Sequence, residues 1–290
     1  MSTTTSFKTP PPELLSTKIL FPTSQILLIV LDNPKSLNSL STPVHWSLDR
    51  LLAWYDNEPG LRCAIMTGAG RAFCAGADLK EWNESNARTA AKTTGGESTL
   101  PASGFGAVSR RSGKKPLIGA INGLAFGAGL EMVANMDLVV AAKSAQFCLP
   151  EVKRGTVAIA GALPRIARTL GRPRAMELAL TGRPVAAREM KEWGFVNAVT
   201  DDAPADAHVL SRPVVQKALE YAEQIASNSP DSVIVSRAGI ILGWEDGSAE
   251  HASTNIVEVW GRRLNEGENL HEGVRAFVEK RQPTWVGSKL

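Results

Sequence analysis

Cysteine and histidine are scarce in this 290-residue chain, and neither is arranged for chemistry. The three cysteines, Cys63, Cys74 and Cys148, stand far apart among apolar or small neighbours. That spacing excludes a disulfide framework and a cysteine-based zinc site, and it fits a reducing compartment. The four histidines (His45, His208, His251, His271) include no pair at the spacing of helical metal ligands, so each reads as a packing or surface residue. Charge of either sign is also limited. With 32 Lys+Arg against 29 Asp+Glu the formal charge is +3, too small and too dispersed for nucleic acid or an anionic membrane surface. No apolar run reaches the roughly 18 residues of a membrane-spanning helix. Residues 1–13 carry Thr and Pro instead of the apolar stretch of a signal peptide, so none is expected. An enzyme made from this chain is expected to work without metal, thiol or imidazole.

What is there is a globular composition, 43% hydrophobic and 21% charged, enough for one large domain or two small ones. The apolar run at 25–31 reads as a buried strand. Thr42-Pro43 then supplies an N-cap and a first-turn proline for a helix burying Trp46, Leu48, Leu51, Leu52 and Tyr55. Further strands are expected at 61–67, 116–122 and 137–142, with an extended piece at 146–149 and a strand near 195–199. Residues 83–115 are polar and read as a mobile loop with some helix. From residue 161 onward the pattern is almost entirely helical. The expected organisation is therefore a disordered segment (1–20), an α/β core (21–200), a helical C-terminal subdomain (201–284) and a tail (285–290). That tail ends Ser288-Lys289-Leu290, a peroxisomal import address, which the preceding Val286-Gly287 would leave exposed to an import receptor.

Two strand-to-helix junctions concentrate glycine: residues 68–78 (GAGRAFCAGAD) and 122–131 (NGLAFGAGLE). Glycine permits tight turns and close backbone approach, and N–H groups freed at a helix start can face an anion. As a dinucleotide fingerprint the first junction fails, because Phe73 stands where a third glycine is needed. Neither junction is followed by the Lys-Ser/Thr of a phosphate loop. A phosphate cradle and a purely structural turn both stay open on these residues alone.

The two junctions resemble those of the crotonase (enoyl-CoA hydratase/isomerase) superfamily. So do residues 34–38 (PKSLN), 115–123 (KPLIGAING), 145–151 (AQFCLPE), 174–182 (RAMELALTG), 193–197 (WGFVN) and 272–281 (EGVRAFVEKR), in family order over nearly the whole chain. The resemblance implies an α/β (α+β) fold: a spiral of stacked ββα units with a C-terminal helical trimerisation subdomain, assembled as a homotrimer or dimer of trimers. It also implies an acyl-CoA substrate, with coenzyme A as part of that substrate and no separate cofactor. The thioester carbonyl would sit between the backbone N–H groups of Ala77 and Ala128. Fixed donors at a developing enolate oxygen are typically worth about 3–4 kcal/mol each. Glu131 and Glu151 match the family's two glutamates, and adding water to a double bond needs one group for the water and one for the α-carbon proton. Lys35, Ala75, Asp78, Leu79 and Lys80 resemble coenzyme A contacts, and Phe277 and Lys280 would reach it across a trimer contact.

One stretch departs from the family pattern. At 158–164 (AIAGALP), Ile159 takes a glycine's place, so a different local backbone and a more apolar pocket are expected. The leading expectation is a peroxisomal acyl-CoA hydratase/dehydratase interconverting 3-hydroxyacyl-CoA and 2-enoyl-CoA. A branched or specialised-metabolite acyl group, such as a mevalonyl-type thioester in a fungal siderophore or toxin pathway, suits the aliphatic stretch. A Δ3-Δ2 enoyl-CoA isomerase, a thioester hydrolase and a non-catalytic acyl-CoA-binding protein are the alternatives.

Overall fold

The computed structural model describes residues 7–78, 81, 100–204 and 206–290. Two sheets organise these residues. The larger joins β1 (Thr17–Thr23), β2 (Ile26–Leu31), β3 (Cys63–Gly68), β5 (Leu117–Ile121), β7 (Leu138–Ala142) and β10 (Ala198–Thr200) in the order β1-β2-β3-β5-β7-β10. The smaller joins β4 (Ala72–Cys74), β6 (Leu124–Phe126), β8 (Gln146–Cys148) and β9 (Val185–Ala186) in the order β4-β6-β8-β9. Each of β3, β5 and β7 hands the chain over a short corner to the next strand of the smaller sheet. Pairing is parallel within β2-β3-β5-β7-β10 and β4-β6-β8, and antiparallel for β1-β2 and β8-β9. This is the spiral implied by the sequence.

Strand β2 shows why the larger sheet forms the middle layer. Strand alternation sends Leu27, Ile29 and Leu31 to one face and Ile26, Leu28 and Val30 to the other. The first set joins the main core with helix α1 (Thr42–Asn57) and the smaller sheet; the second packs with helix α6 (Pro213–Ala226). Between them run α2 (Ala128–Val133), α3 (Ala162–Leu170), α4 (Arg172–Thr181) and α5 (Ala187–Glu192). The chain ends in α7 (Pro230–Glu245), α8 (Ala249–Ile256), α9 (Arg262–Asn265) and α10 (Glu268–Val278).

The corners decide between the two readings of the first glycines. A Cβ on Gly68 would lie 2.2 Å from the Ala72 carbonyl oxygen, and one on Gly123 would lie 2.0 Å from that of Arg71. These glycines serve backbone-to-backbone packing, so no phosphate cradle is needed to explain them. Two side-chain amides, Asn38 buried and Asn122 half-buried, brace the same corners. The Asn38 amide donates to Ala69 O (2.9 Å) and Ala72 O (2.8 Å), and Asn122 accepts from Gly68 N–H at 2.9 Å.

Several expectations change. Residues 7–20 are not disordered: Phe7 packs 4.7 Å from Phe21 and 5.3 Å from Trp54, ring centre to ring centre, and the Trp54 indole donates to Thr9 O. Strand β1 begins inside that segment. Its polar ends and Pro22 hide it in the sequence, and an edge position tolerates them. Trp46 is 42% exposed, because the buried face of α1 runs through Val44, His45, Ser47, Leu48, Leu51, Leu52 and Tyr55. His45 is a packing residue: it accepts from Gly106 N–H at 3.0 Å, and burial lowers its pKa to about 4. The strand expected at 195–199 starts later, since Phe195 and Val196 N–H still bond the Met190 carbonyl.

The tail does not hang free. The Trp285 indole donates to Ser227 O, Val286 N–H to Asn269, and Lys114 Nζ to Leu290 O at 2.7 Å. Ser288 bonds Asp231 and Lys289 pairs with Glu268. Polar side chains on the body thus hold a segment that the sequence leaves without obvious anchors. Among the described residues no helix is long and apolar enough to cross a membrane.

Candidate active site

Parallel strands β4, β6 and β8 end at the same side of the smaller sheet, so the segments leaving them converge. This is the general place for a ligand in parallel sheets. Strand β4 delivers Ala75, Gly76 and Ala77. Strand β6 delivers Gly127, Ala128 and, one turn into α2, Glu131. Strand β8 leads into the 3-10 turn Pro150–Arg154, which carries Glu151. All of these line one cavity of about 390 Å³, which Ser36, Ser39, Arg154, Thr156 and Val157 also line.

Two positive-φ glycines bring the pieces together. Gly76 (φ +96) and Gly127 (φ +56) turn the chain as side-chain-bearing residues rarely do. A Cβ on Gly76 would stand 3.3 Å from Ala128 N, and one on Gly127 would stand 3.0 Å from Glu151 Oε1. The two turns are therefore in contact, and the Glu151 carboxyl lies against the second. The N–H groups of Ala77 and Ala128 have no hydrogen-bond acceptor among the described residues. Leu40 explains the first: it bonds to Gly76 O and to Asp78 N–H on one edge and leaves Ala77 N–H on the other.

Glu131 is 3% exposed, and its Oε2 accepts from Ala162 N–H at 3.1 Å. Ala162 opens α3, so the positive end of that helix faces the carboxyl group. Burial raises the Glu131 pKa to about 7; the Ala162 N–H opposes the rise and the Glu151 charge adds to it. Glu151 is also raised by burial, against the pull of its own backbone N–H and the Arg154 charge. Its Oε2 is buried without a partner among the described residues. Two raised carboxyl groups beside two free amides form a site that can stabilise an oxyanion and exchange protons, Glu131 near neutral pH.

The remaining sequence-derived residues divide. Ala75 lines the cavity, and exposed Lys35 neighbours its Ser36 wall. Asp78 N–H is bonded to Leu40 O. Leu79 and Lys80 lie outside the described residues. Phe277, 85% exposed, and Lys280 sit at the end of α10 and do not line the cavity of their own chain. Ile159 takes no positive φ, as expected of a β-branched residue, but it overturns the more apolar pocket expected of it, since its side chain is 84% exposed and points to water. The turn is taken by Gly161 (φ +131) instead. Ser36, Ser39, Arg154, Thr156 and Val157 were not singled out by the sequence. For Arg154, its place three residues after Glu151 was the available signal. A larger cavity, about 600 Å³, lies by α10, but its Arg275 and Arg281 are paired with Glu272.

Comparison with known proteins agrees with this geometry. The profile of the enoyl-CoA hydratase/isomerase family matches residues 22–288. The chain is 49% identical over 287 residues to the mevalonyl-coenzyme A hydratase SIDH of Beauveria bassiana, covering 98% of this chain and 100% of that protein. It is 47% identical over 270 residues to mevalonyl-coenzyme A hydratase sidH of Aspergillus fumigatus, covering 93% and 94%. Among solved structures, an enoyl-CoA hydratase from Mycobacterium tuberculosis H37Rv superposes with a TM-score of 0.81 at 30% identity, covering 94% of this chain and 99% of that one.

Proposed function

The chain belongs to the enoyl-CoA hydratase/isomerase family, and on that footing we propose that it interconverts a 3-hydroxyacyl-CoA and the corresponding 2-enoyl-CoA. The observation that carries the reading is the meeting of Glu131 and Glu151 over the cavity that also receives the Ala77 and Ala128 N–H groups. In the dehydration direction the thioester oxygen accepts from both amides. The Glu151 carboxylate takes the proton from C2 as electron density moves onto that oxygen. Glu131, which holds a proton near neutral pH, gives it to the hydroxyl leaving C3, and water departs as the C2–C3 double bond forms. Hydration is the same path reversed: water loses a proton to Glu131, its oxygen bonds C3, and Glu151 returns a proton to C2.

The substrate we favour is a short acyl group branched and hydroxylated at C3 and ending in a second hydroxyl, as in a mevalonyl thioester. The support is the 49% and 47% identity to the two mevalonyl-coenzyme A hydratases. Lys35, with Phe277 and Lys280 of a neighbouring copy, is our assignment for coenzyme A. The exposed apolar residues Leu270, Val274, Phe277 and Val278 of α10 support the homotrimer that this requires. Residues 288–290 support import into peroxisomes, and in this reading the receptor competes with Asp231, Glu268 and Lys114 for them.

The test is reversible turnover. Purified protein mixed with mevalonyl-CoA should generate enoyl-thioester absorbance, and the enoyl product should lose it on hydration. Binding of the thioester without turnover in either direction would overturn the hydratase reading.

A further inference from the structure

Arg154 is the one cation lining the cavity beside Glu131 and Glu151, among the described residues, and it is left unpaired. It is exposed and makes no hydrogen bond or ion pair with any described residue. Arg165, by contrast, is spent on structure: it bonds Asn135 at 2.7 Å and Gly161 O at 3.0 Å. Arg154 ends the same 3-10 turn that carries Glu151. Three residues complete one turn of such a helix, so positions 151 and 154 stack on one face. Both face the cavity, and the Arg154 charge is felt at Glu151.

Resting on the reading that puts C2 and C3 of the acyl chain at the two carboxyl groups, the next group along that face meets what lies beyond C3. A guanidinium offers donors only, so it suits a hydroxyl or carboxylate oxygen and gives an alkyl end nothing. The Thr156 hydroxyl beside it is already engaged with Glu151 O at 3.3 Å. Val157 adjoins it, 60% exposed, as an apolar contact for a methyl branch. We propose that Arg154 determines acyl specificity: it hydrogen-bonds an oxygen two carbons beyond the reacting bond and so selects a hydroxyl-ended acyl chain over its alkyl counterpart.

The experiment compares two thioesters that differ by one oxygen, 5-hydroxy-3-methylpent-2-enoyl-CoA and 3-methylpent-2-enoyl-CoA, on wild type, Arg154→Met and Arg154→Lys. A charge-assisted hydrogen bond in a partly solvated place is worth roughly a factor of ten. Arg154→Met should lose roughly tenfold in kcat/KM on the hydroxylated thioester, mainly through KM. Away from the pH limb set by Glu151 the alkyl thioester should change little, that limb should move up alike on both thioesters as Glu151 loses the Arg154 charge, and Arg154→Lys should recover part of the preference. Since Arg154 is exposed and unpaired, the melting temperature should not move. Equal losses on both thioesters, as expected of a contact with coenzyme A, would overturn the assignment. So would an intact preference in Arg154→Met. A wild type that handles the alkyl thioester and ignores the hydroxylated one overturns the substrate reading, and this role with it.

Discussion

Glu131 is held where burial opposes its charge, and its pKa of about 7 stands above the 4.5 of an ordinary glutamate. Folding carries no penalty from this group below about pH 4.5, where it is protonated in both states. As pH rises through about 7 the folded state must ionise a buried carboxyl, and stability falls by on the order of 3 kcal/mol. Glu131→Gln keeps an acceptor for Ala162 N–H and removes that penalty. It should melt higher than wild type at pH 8 and close to it at pH 5, by calorimetry at both values. The same variant should lose roughly 10²–10⁴-fold in kcat. In wild type, the dehydration rate should fall as pH rises through about 7, and in Glu131→Gln that limb should be gone. Ile159 gives the opposite case. Its side chain is in water, so Ile159→Ala should change stability by no more than about 0.5 kcal/mol and leave acyl preference where it was.

At the scale of elements, the site depends on what leaves β4, β6 and β8. The segment after β6 is under the tightest constraint. Gly127 has φ 56° and ψ −129°, a region that only glycine occupies without strain, and a Cβ there would press on Glu151. Gly127→Ala should cost about 1–3 kcal/mol in a denaturant titration, while kcat drops further than that loss of folded protein explains. The corner below it is braced by Asn38, whose three hydrogen bonds reach Asn33, Ala69 and Ala72. Asn38→Ala leaves those backbone groups unsatisfied and should destabilise by about 3 kcal/mol. Much of this was legible beforehand, because β2 is an unbroken apolar run and the glycines and both glutamates recur at recognisable spacing. The bracing amides were not. Neither Asn38 nor Asn122 differs, as a letter in the sequence, from an asparagine in a surface turn. Their role comes from backbone groups 31 to 54 residues away that only the corners bring near.

Over the whole molecule, the least legible feature was the path of the two ends. Phe7 and Trp54 are far apart in sequence and pack as rings, and the last residues are tied down by side chains of α7, α10 and the segment before β5. Nothing local in residues 285–290 encodes those partners. Removing the six residues should lower the melting temperature, because Arg62, Ser227 and Asn269 lose the bonds they make to Trp285 and Val286. The proposed trimer makes its own prediction. Phe277→Asp, on the exposed face of α10, should shift sedimentation from trimer to monomer and weaken coenzyme A ester binding together with it. The joint role of the two carboxyl groups is tested by kcat for mevalonyl-CoA dehydration by wild type, Glu131→Gln and Glu151→Gln, each shown to be folded. Wild type should turn over, and both variants should lose at least roughly 10²-fold. Near-normal turnover in Glu131→Gln, with activity abolished only in Glu151→Gln, would contradict a two-carboxylate reaction and leave Glu151 as its acid–base group.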